Sequence, residues 1–226
     1  MEPKYTLKDE AYIKVVKGQS HTYGGSQNFF REDEGLINKN RCLGGCGIIA
    51  ITDVISYLSG LHNYSSLSEY KHSFKKTSVL SLWIPMRSGI NFVMETLGLK
   101  LSLLLNHLPY KCHWCFSKNK MLNRIKGMLS NNIPVILCIP KTIIPLGDYQ
   151  NLVLYDEALN AVARTNGHFV VITGIYIHKD SSNHQTIYFS ISSWGQKYYI
   201  SYEEYLHFAK KHPFSLLGNI MQISHI

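Results

Sequence analysis

Cys46 stands where a chain would put a nucleophile. It follows Gly44-Gly45 and opens a run with apolar residues at Ile48, Ile49, Ile51, Val54, Ile55 and Leu58, the spacing of one helix face. A thiol on the first turn of a buried helix meets unpaired backbone N–H groups and the positive end of the dipole. Such a setting can bring a thiol from about 8.5 down to about 3.5–7.5, and the thiolate is the reactive form. Acyl chemistry on a thiolate needs a base, a third group to hold that base, and donors for the developing oxyanion. Most histidines (His21, His62, His72, His113, His178 and His184) lie in polar, loop-like settings. His168 is different: it opens the most apolar stretch of the chain directly after Asn166-Gly167, which would leave its imidazole at the rim of a sheet. The group that orients the ring should come from the next strand, where Ser190, Ser192 and Ser193 precede Trp194-Gly195. That strand holds no Asp or Asn, so a serine would hold the ring without adding charge. Trp194 is expected to pack over the ring and exclude water.

These residues must be positioned by the elements around them. Residues 1–40 read as polar and irregular. A helix over residues 46–59 is closed by Gly60. Residues 61–88 read as short pieces rich in Ser, Tyr and Lys. Ile90–Leu97 predicts a helix stopped by Gly98, with a strand over Leu99–Leu105. Lys118–Leu129 predicts an amphipathic helix with Ser117 as its cap. Ile133–Ile139, short, apolar and partly β-branched, predicts a buried strand. Residues 140–166 read as a surface excursion with a short helix near Asp156–Val162. A β-meander then follows, with strands at 168–177, 186–192 and 197–201. The Ser201-Tyr-Glu-Glu204 capping box starts a helix from Tyr202 to Lys211. Helices first and a mostly antiparallel sheet second define an α+β class, read as one domain over 1–226: an irregular 1–40, a mainly helical 41–132 and a mainly β 133–226.

The 226 residues are 45% hydrophobic, 12% aromatic and 17% charged, ample for a packed core and far from a disordered composition. The formal charge of +8 comes from scattered lysines, so no nucleic-acid partner is expected. Five cysteines, an odd count, do not read as a disulfide framework. The opening Met-Glu-Pro-Lys-Tyr-Thr-Leu-Lys-Asp-Glu lacks an apolar h-region, so no signal peptide is expected. With no run of 18 apolar residues, no membrane helix is expected, and a cytoplasmic location is the default. Cys112-His-Trp-Cys115 supplies only two metal ligands, with no second pair near it in sequence, and reads as a plain apolar or surface patch. Cys42 reads as a packed thiol that could trap Cys46 as a disulfide on oxidation. Cys138 reads as a small core residue.

Three segments in order carry a resemblance. Gly45-Cys46-Gly47 opens a helix, Asn166-Gly-His168-Phe-Val-Val-Ile-Thr-Gly follows, and Ser192-Ser-Trp-Gly195 closes the set. Together they resemble the papain-like cysteine peptidase superfamily, nearest to the bacterial C39-like peptidases. Asn131-Asn-Ile-Pro-Val-Ile-Leu137 and the ending Tyr198-Tyr-Ile-Ser-Tyr-Glu-Glu-Tyr205 are similar to that group as well. The resemblance covers roughly residues 24–208. It implies a papain-like fold with the nucleophile helix packed on a C-terminal antiparallel sheet, Cys46 as nucleophile and His168 as base. It implies a cysteine hydrolase that cleaves an amide or peptide bond in a peptide or protein substrate and needs no cofactor. Acyl transfer by the same pair, or a pseudo-enzyme that only binds peptides, are the alternatives. Family members carry Asp or Asn where this chain has Ser192. They carry an oxyanion Gln six residues before the cysteine, where this chain has Asn40; Gln27 is the other candidate for that role.

Overall fold

The computed structural model describes residues 1–9, 11–83, 89–141, 151–211 and 218–226. The chain begins with strands β1 (Glu2–Thr6), β2 (Lys14–Lys17) and β3 (Ser20–Tyr23). A 3-10 turn at Gln27–Phe30 leads into α1 (Leu36–Gly44), α2 (Cys46–Leu58), β4 (Asn63–Tyr64), α3 (Leu67–Leu80) and α4 (Phe92–Leu105). Next come β5 (Tyr110–Trp114), α5 (Met121–Ser130) and β6 (Val135–Ile139). The remainder is β7 (Leu152–Tyr155), β8 (Ala161–Thr165), β9 (His168–Lys179), β10 (Gln185–Ser193), β11 (Gln196–Ser201), α6 (Tyr202–Lys211) and β12 (Met221–His225). This is an α+β architecture.

Among the described residues the main sheet has seven strands, every pair antiparallel. β9 is its spine. β10 lies along one edge of β9, while the other edge is shared by β6, opposite residues 168–172, and β1, opposite residues 174–177. Helix α2 packs on β9 and β6 and is flanked by α3 and α4. Every residue from Gly47 to Val54 is buried, so α2 is covered all round, as its continuous apolar content requires. Ile48, Ile51 and Val54 are fully buried, each contributing about 1.5–3 kcal/mol. That packing fixes the height at which α2 presents its first turn to the rim of β9.

Five local expectations change. Residues 1–40 are not irregular: β1 closes an edge of the main sheet, and β2 with β3 and β4 forms a three-stranded sheet. These pairings join segments far apart in sequence, which local periodicity does not see. Residues 67–80 form α3, and its start was marked by Ser66 and Glu69: the Ser66 hydroxyl accepts from the Glu69 N–H at 3.2 Å, the N-cap geometry. The expected break at Gly98 does not occur, because α4 runs through it and takes in the predicted strand. A Cβ there would overlap the Ser81 hydroxyl and lie 2.9 Å from Ser81 Cα, so the glycine serves a close crossing of α4 with the end of α3. The helix expected near Asp156–Val162 is instead the turn of a β7–β8 hairpin, in which Asp156 accepts from the Asn160 N–H at 2.8 Å. The helix expected from Lys118 starts at Met121, preceded by Lys120 at φ 64°, and Ser117 accepts from Asn119 N–H before it. Parts of the readings for 61–88 and 140–166 fall at 84–88 and 142–150, outside the described residues. Among the described residues no single helix is long and apolar enough to cross a membrane.

Candidate active site

Cys46 is the first residue of α2. The first intrahelical bond runs from Ile49 N–H to Gly45 O at 3.0 Å, so the N–H groups of Cys46, Gly47 and Ile48 have no acceptor within the helix. Hydrogen bonding from the backbone N–H groups of Phe169, Gly47 and Cys46 favours the thiolate, yet burial outweighs them and, with nearby Glu95, pushes the thiol up to about 11. Burial thus opposes the depression that the helix start alone suggests.

His168 opens β9 opposite Ile139 of β6 and is 7% exposed. Burial holds its imidazole down at about 4. Thiol and imidazole are therefore both neutral at rest. His168 Nε2 lies 2.8 Å from Ser193 Oγ. Ser192 does not hold the ring: its hydroxyl donates to the Tyr23 carbonyl at 3.1 Å. Both serines line the cavity that holds Cys46 and His168, and they differ in the partner each hydroxyl takes. Ser190 contacts the Thr173 hydroxyl at 3.0 Å. Trp194 stacks on the imidazole, with ring centroids 4.9 Å apart and planes at 21°. It does so from the tip of a two-residue β10–β11 hairpin, with Trp194 at φ 50° and Gly195 at φ 77°.

Cys46 and His168 line one cavity of about 10 Å³, together with Gln27, Asp53, Ser193 and Trp194. That is close to the room one water needs. Of the two candidate amides, the structure brings Gln27 to this cavity. Its Oε1 is buried without a hydrogen-bond partner, while the group an oxyanion would need from this side chain is the amide NH₂. Asn40 lies on α1 and is not part of the lining.

Two acidic residues at the site escaped the sequence reading. Asp53 follows Cys46 by seven residues, which puts both on one face of α2. That spacing was a usable signal. Burial raises its carboxyl to about 7, against hydrogen bonds from Tyr70 and the Gly25 N–H. Glu95 reaches from α4 to the first turn of α2, where its Oε2 would overlap any Cβ at Gly47. Neither of its oxygens has a hydrogen-bond partner, and burial raises it to about 8. Nothing local in the sequence marks it.

The remaining cysteines are free thiols. Cys42 Sγ lies 3.9 Å from Asn28 Oδ1. Cys138 is raised by burial on β6. Cys112 and Cys115 are both 4% exposed; they belong to the core rather than to a surface patch. Among the described residues no three His, Cys, Asp or Glu side chains come together as metal ligands would.

No protein-family model matches the sequence, and no curated protein matches it. Two solved structures are similar to it, both of SERA5E from Plasmodium falciparum. One, with a loop ordered, aligns over 52% of this chain and 46% of that chain at 14% identity and a TM-score of 0.29. The chain thus spans under half of that protein's length in the match. The other aligns over 99% of this chain and 98% of that chain at 14% identity and a TM-score of 0.31. Likeness this distant carries no conclusion about architecture or chemistry.

Proposed function

We propose that this chain is a papain-like cysteine hydrolase, similar to the bacterial C39-like peptidases, acting on an amide or peptide bond of a peptide or protein. The observation that supports it is one cavity shared by Cys46 at the start of α2 and His168 at the start of β9, with Ser193 on the far ring nitrogen. Because Nε2 is engaged by Ser193, Nδ1 is the nitrogen left for the sulfur. In this reading His168 Nδ1 takes the thiol proton as sulfur attacks the carbonyl carbon. The Gln27 amide and the Cys46 N–H stabilise the oxyanion. Collapse breaks the C–N bond, and the departing amine takes its proton from His168. Water, deprotonated by the same ring, then hydrolyses the thioester. An amine in place of water would make the reaction an acyl transfer.

Starting from two neutral groups, His168 acts as a general base during attack rather than as half of a standing ion pair. A second reading rests on that same neutrality and on an uncharged orienter: a pseudo-enzyme that keeps the cleft to bind peptides. Iodoacetamide separates the two. Stoichiometric alkylation of Cys46 at neutral pH, lost in His168→Ala, supports the hydrolase. Alkylation of Cys46 no faster than that of Cys138 in the native protein would favour the binding module.

A further inference from the structure

Ser192, which the family pattern would put on the imidazole, is engaged elsewhere, and so is Asp53. Both converge on the segment Tyr23–Gln27. The Ser192 hydroxyl donates to Tyr23 O at 3.1 Å. Asp53 Oδ2 accepts from the Gly25 N–H at 2.9 Å, and its Oδ1 accepts from the Tyr70 hydroxyl at 2.6 Å. The Tyr23 N–H donates to Gly195 O at 2.8 Å and the Gly24 N–H to Ile13 O at 2.6 Å. There is no slack in this clamp. Gly24 sits at φ 75°, and a Cβ on it would overlap Ser192 Oγ and lie 2.7 Å from Asp53 Oδ2. A Cβ on Gly25 would overlap the Tyr70 hydroxyl. Two residues beyond the clamp lies Gln27, in the same cavity as Cys46.

Asp53 and Tyr70 are buried at 1% and 0% exposure. A buried carboxyl costs several kcal/mol unless its oxygens are satisfied, and here one oxygen is spent on a loop backbone. Asp53 also shares its helix with the nucleophile. The clamp therefore measures the loop's position against the same rigid element that carries Cys46.

We infer that Asp53, with Ser192 and Tyr70, is a positioning residue that holds the Gly24–Gln27 loop so that the Gln27 amide meets the oxyanion formed at Cys46. The inference deepens the hydrolase reading and rests on it. Its role is in tetrahedral chemistry alone: alkylation of the sulfur forms no oxyanion, whereas acylation does.

Two reactions on the full-length protein test this. One is alkylation of Cys46 by iodoacetamide. The other is acylation by p-nitrophenyl acetate, read as nitrophenolate release after subtracting the rate of Cys46→Ser. Loss of one oxyanion donor costs about 10²–10³ in rate, and Asp53→Ala is expected to lose about 10- to 100-fold in acylation with alkylation unchanged. Asp53→Asn keeps an acceptor for the Gly25 N–H and is expected to restore most of that loss. Tyr70→Phe and Ser192→Ala, which change one hydroxyl each, are expected to lose about threefold to tenfold, again in acylation alone. Should Asp53→Ala fail to fold, Tyr70→Phe and Ser192→Ala carry the same comparison. Equal acylation in wild type, Asp53→Ala, Tyr70→Phe and Ser192→Ala overturns the inference, as does a parallel fall in both reactions with circular dichroism unchanged. Failure of the hydrolase reading looks different: wild-type alkylation of Cys46 would then be indifferent to His168→Ala.

Discussion

Cys112 is buried and Cys46 is half-buried, and burial raises both thiols, to about 12 and about 11. What differs is the kind of atom around each sulfur. Cys46 meets backbone N–H groups from Phe169, Gly47 and its own residue, and shares a cavity with an imidazole. Cys112 points its thiol at the Thr96 carbonyl, 3.9 Å away, an acceptor that favours the protonated form. Desolvation favours the protonated form of each thiol. In the hydrolase reading, the donors and the imidazole beside Cys46 would meet the charge that a reaction creates there. Burial alone does not separate these two cysteines, whereas the donor-or-acceptor character of their neighbours does.

The largest test of this contrast is His168→Ala. A positioned general base supplies about 10²–10⁴ in rate. Iodoacetamide labelling followed by peptide mass spectrometry should show Cys46 falling by that factor to the level of Cys112. If Cys46 keeps its rate, the imidazole does not set it apart. Gln27→Ala comes next, with a loss of about 10²–10³ in p-nitrophenyl acetate acylation, while Asn40→Ala stays near wild type. The reverse ranking would return the oxyanion role to Asn40.

Ser193→Ala should cost less than tenfold in the same acylation assay, since one neutral hydrogen bond contributes about 1 kcal/mol. Ser192→Ala leaves the ring contact intact, so the two variants should differ in how they affect the pH profile. The profile itself follows from burial. His168 holds a proton only below about pH 4 and Cys46 keeps its proton up to about 11. Lowering an imidazole's value extends the neutral, basic form to lower pH. Alkylation by iodoacetamide should therefore lose rate only as pH falls toward 4, and rise as pH climbs toward 11. A step near 6.5 would mean that water reaches the ring. The smallest effect is expected from Cys112→Ala. It should lower unfolding free energy by about 1 kcal/mol, by loss of buried volume, in urea titration, and leave Cys46 chemistry untouched.

The helix that carries Cys46, the meander that carries His168 and the cap of α6 were legible because each is a local pattern: a helical period, three strands with turns between them, a Ser-x-x-Glu box. Ser201 does accept from the Glu204 N–H, at 3.4 Å. What was illegible is non-local. β1 looks polar because it is an exposed edge strand, and only its partner β9 makes it a strand. Gly98 reads as a helix stop until Ser81 of the preceding helix lies against it. Within the site, the family pattern pointed to Ser192, whereas the hydroxyl within hydrogen-bond distance of the ring is that of the next residue, Ser193. Asn40 has the family's spacing, while Gln27 is the one that lines the cavity. Glu95 comes from another helix altogether, and no spacing to Cys46 could announce it.

Residue 194 is a place where two demands on one position conflict. A two-residue hairpin with both central residues at positive φ is best made from Asn-Gly, and a bulky residue there is unfavourable. The chain keeps tryptophan, at φ 50°, with its indole over His168. The strain of the turn and the cover of the imidazole are thus set by the same side chain. Trp194→Asn should relax the turn while uncovering the imidazole, which makes it a variant whose folding and whose chemistry move in opposite directions.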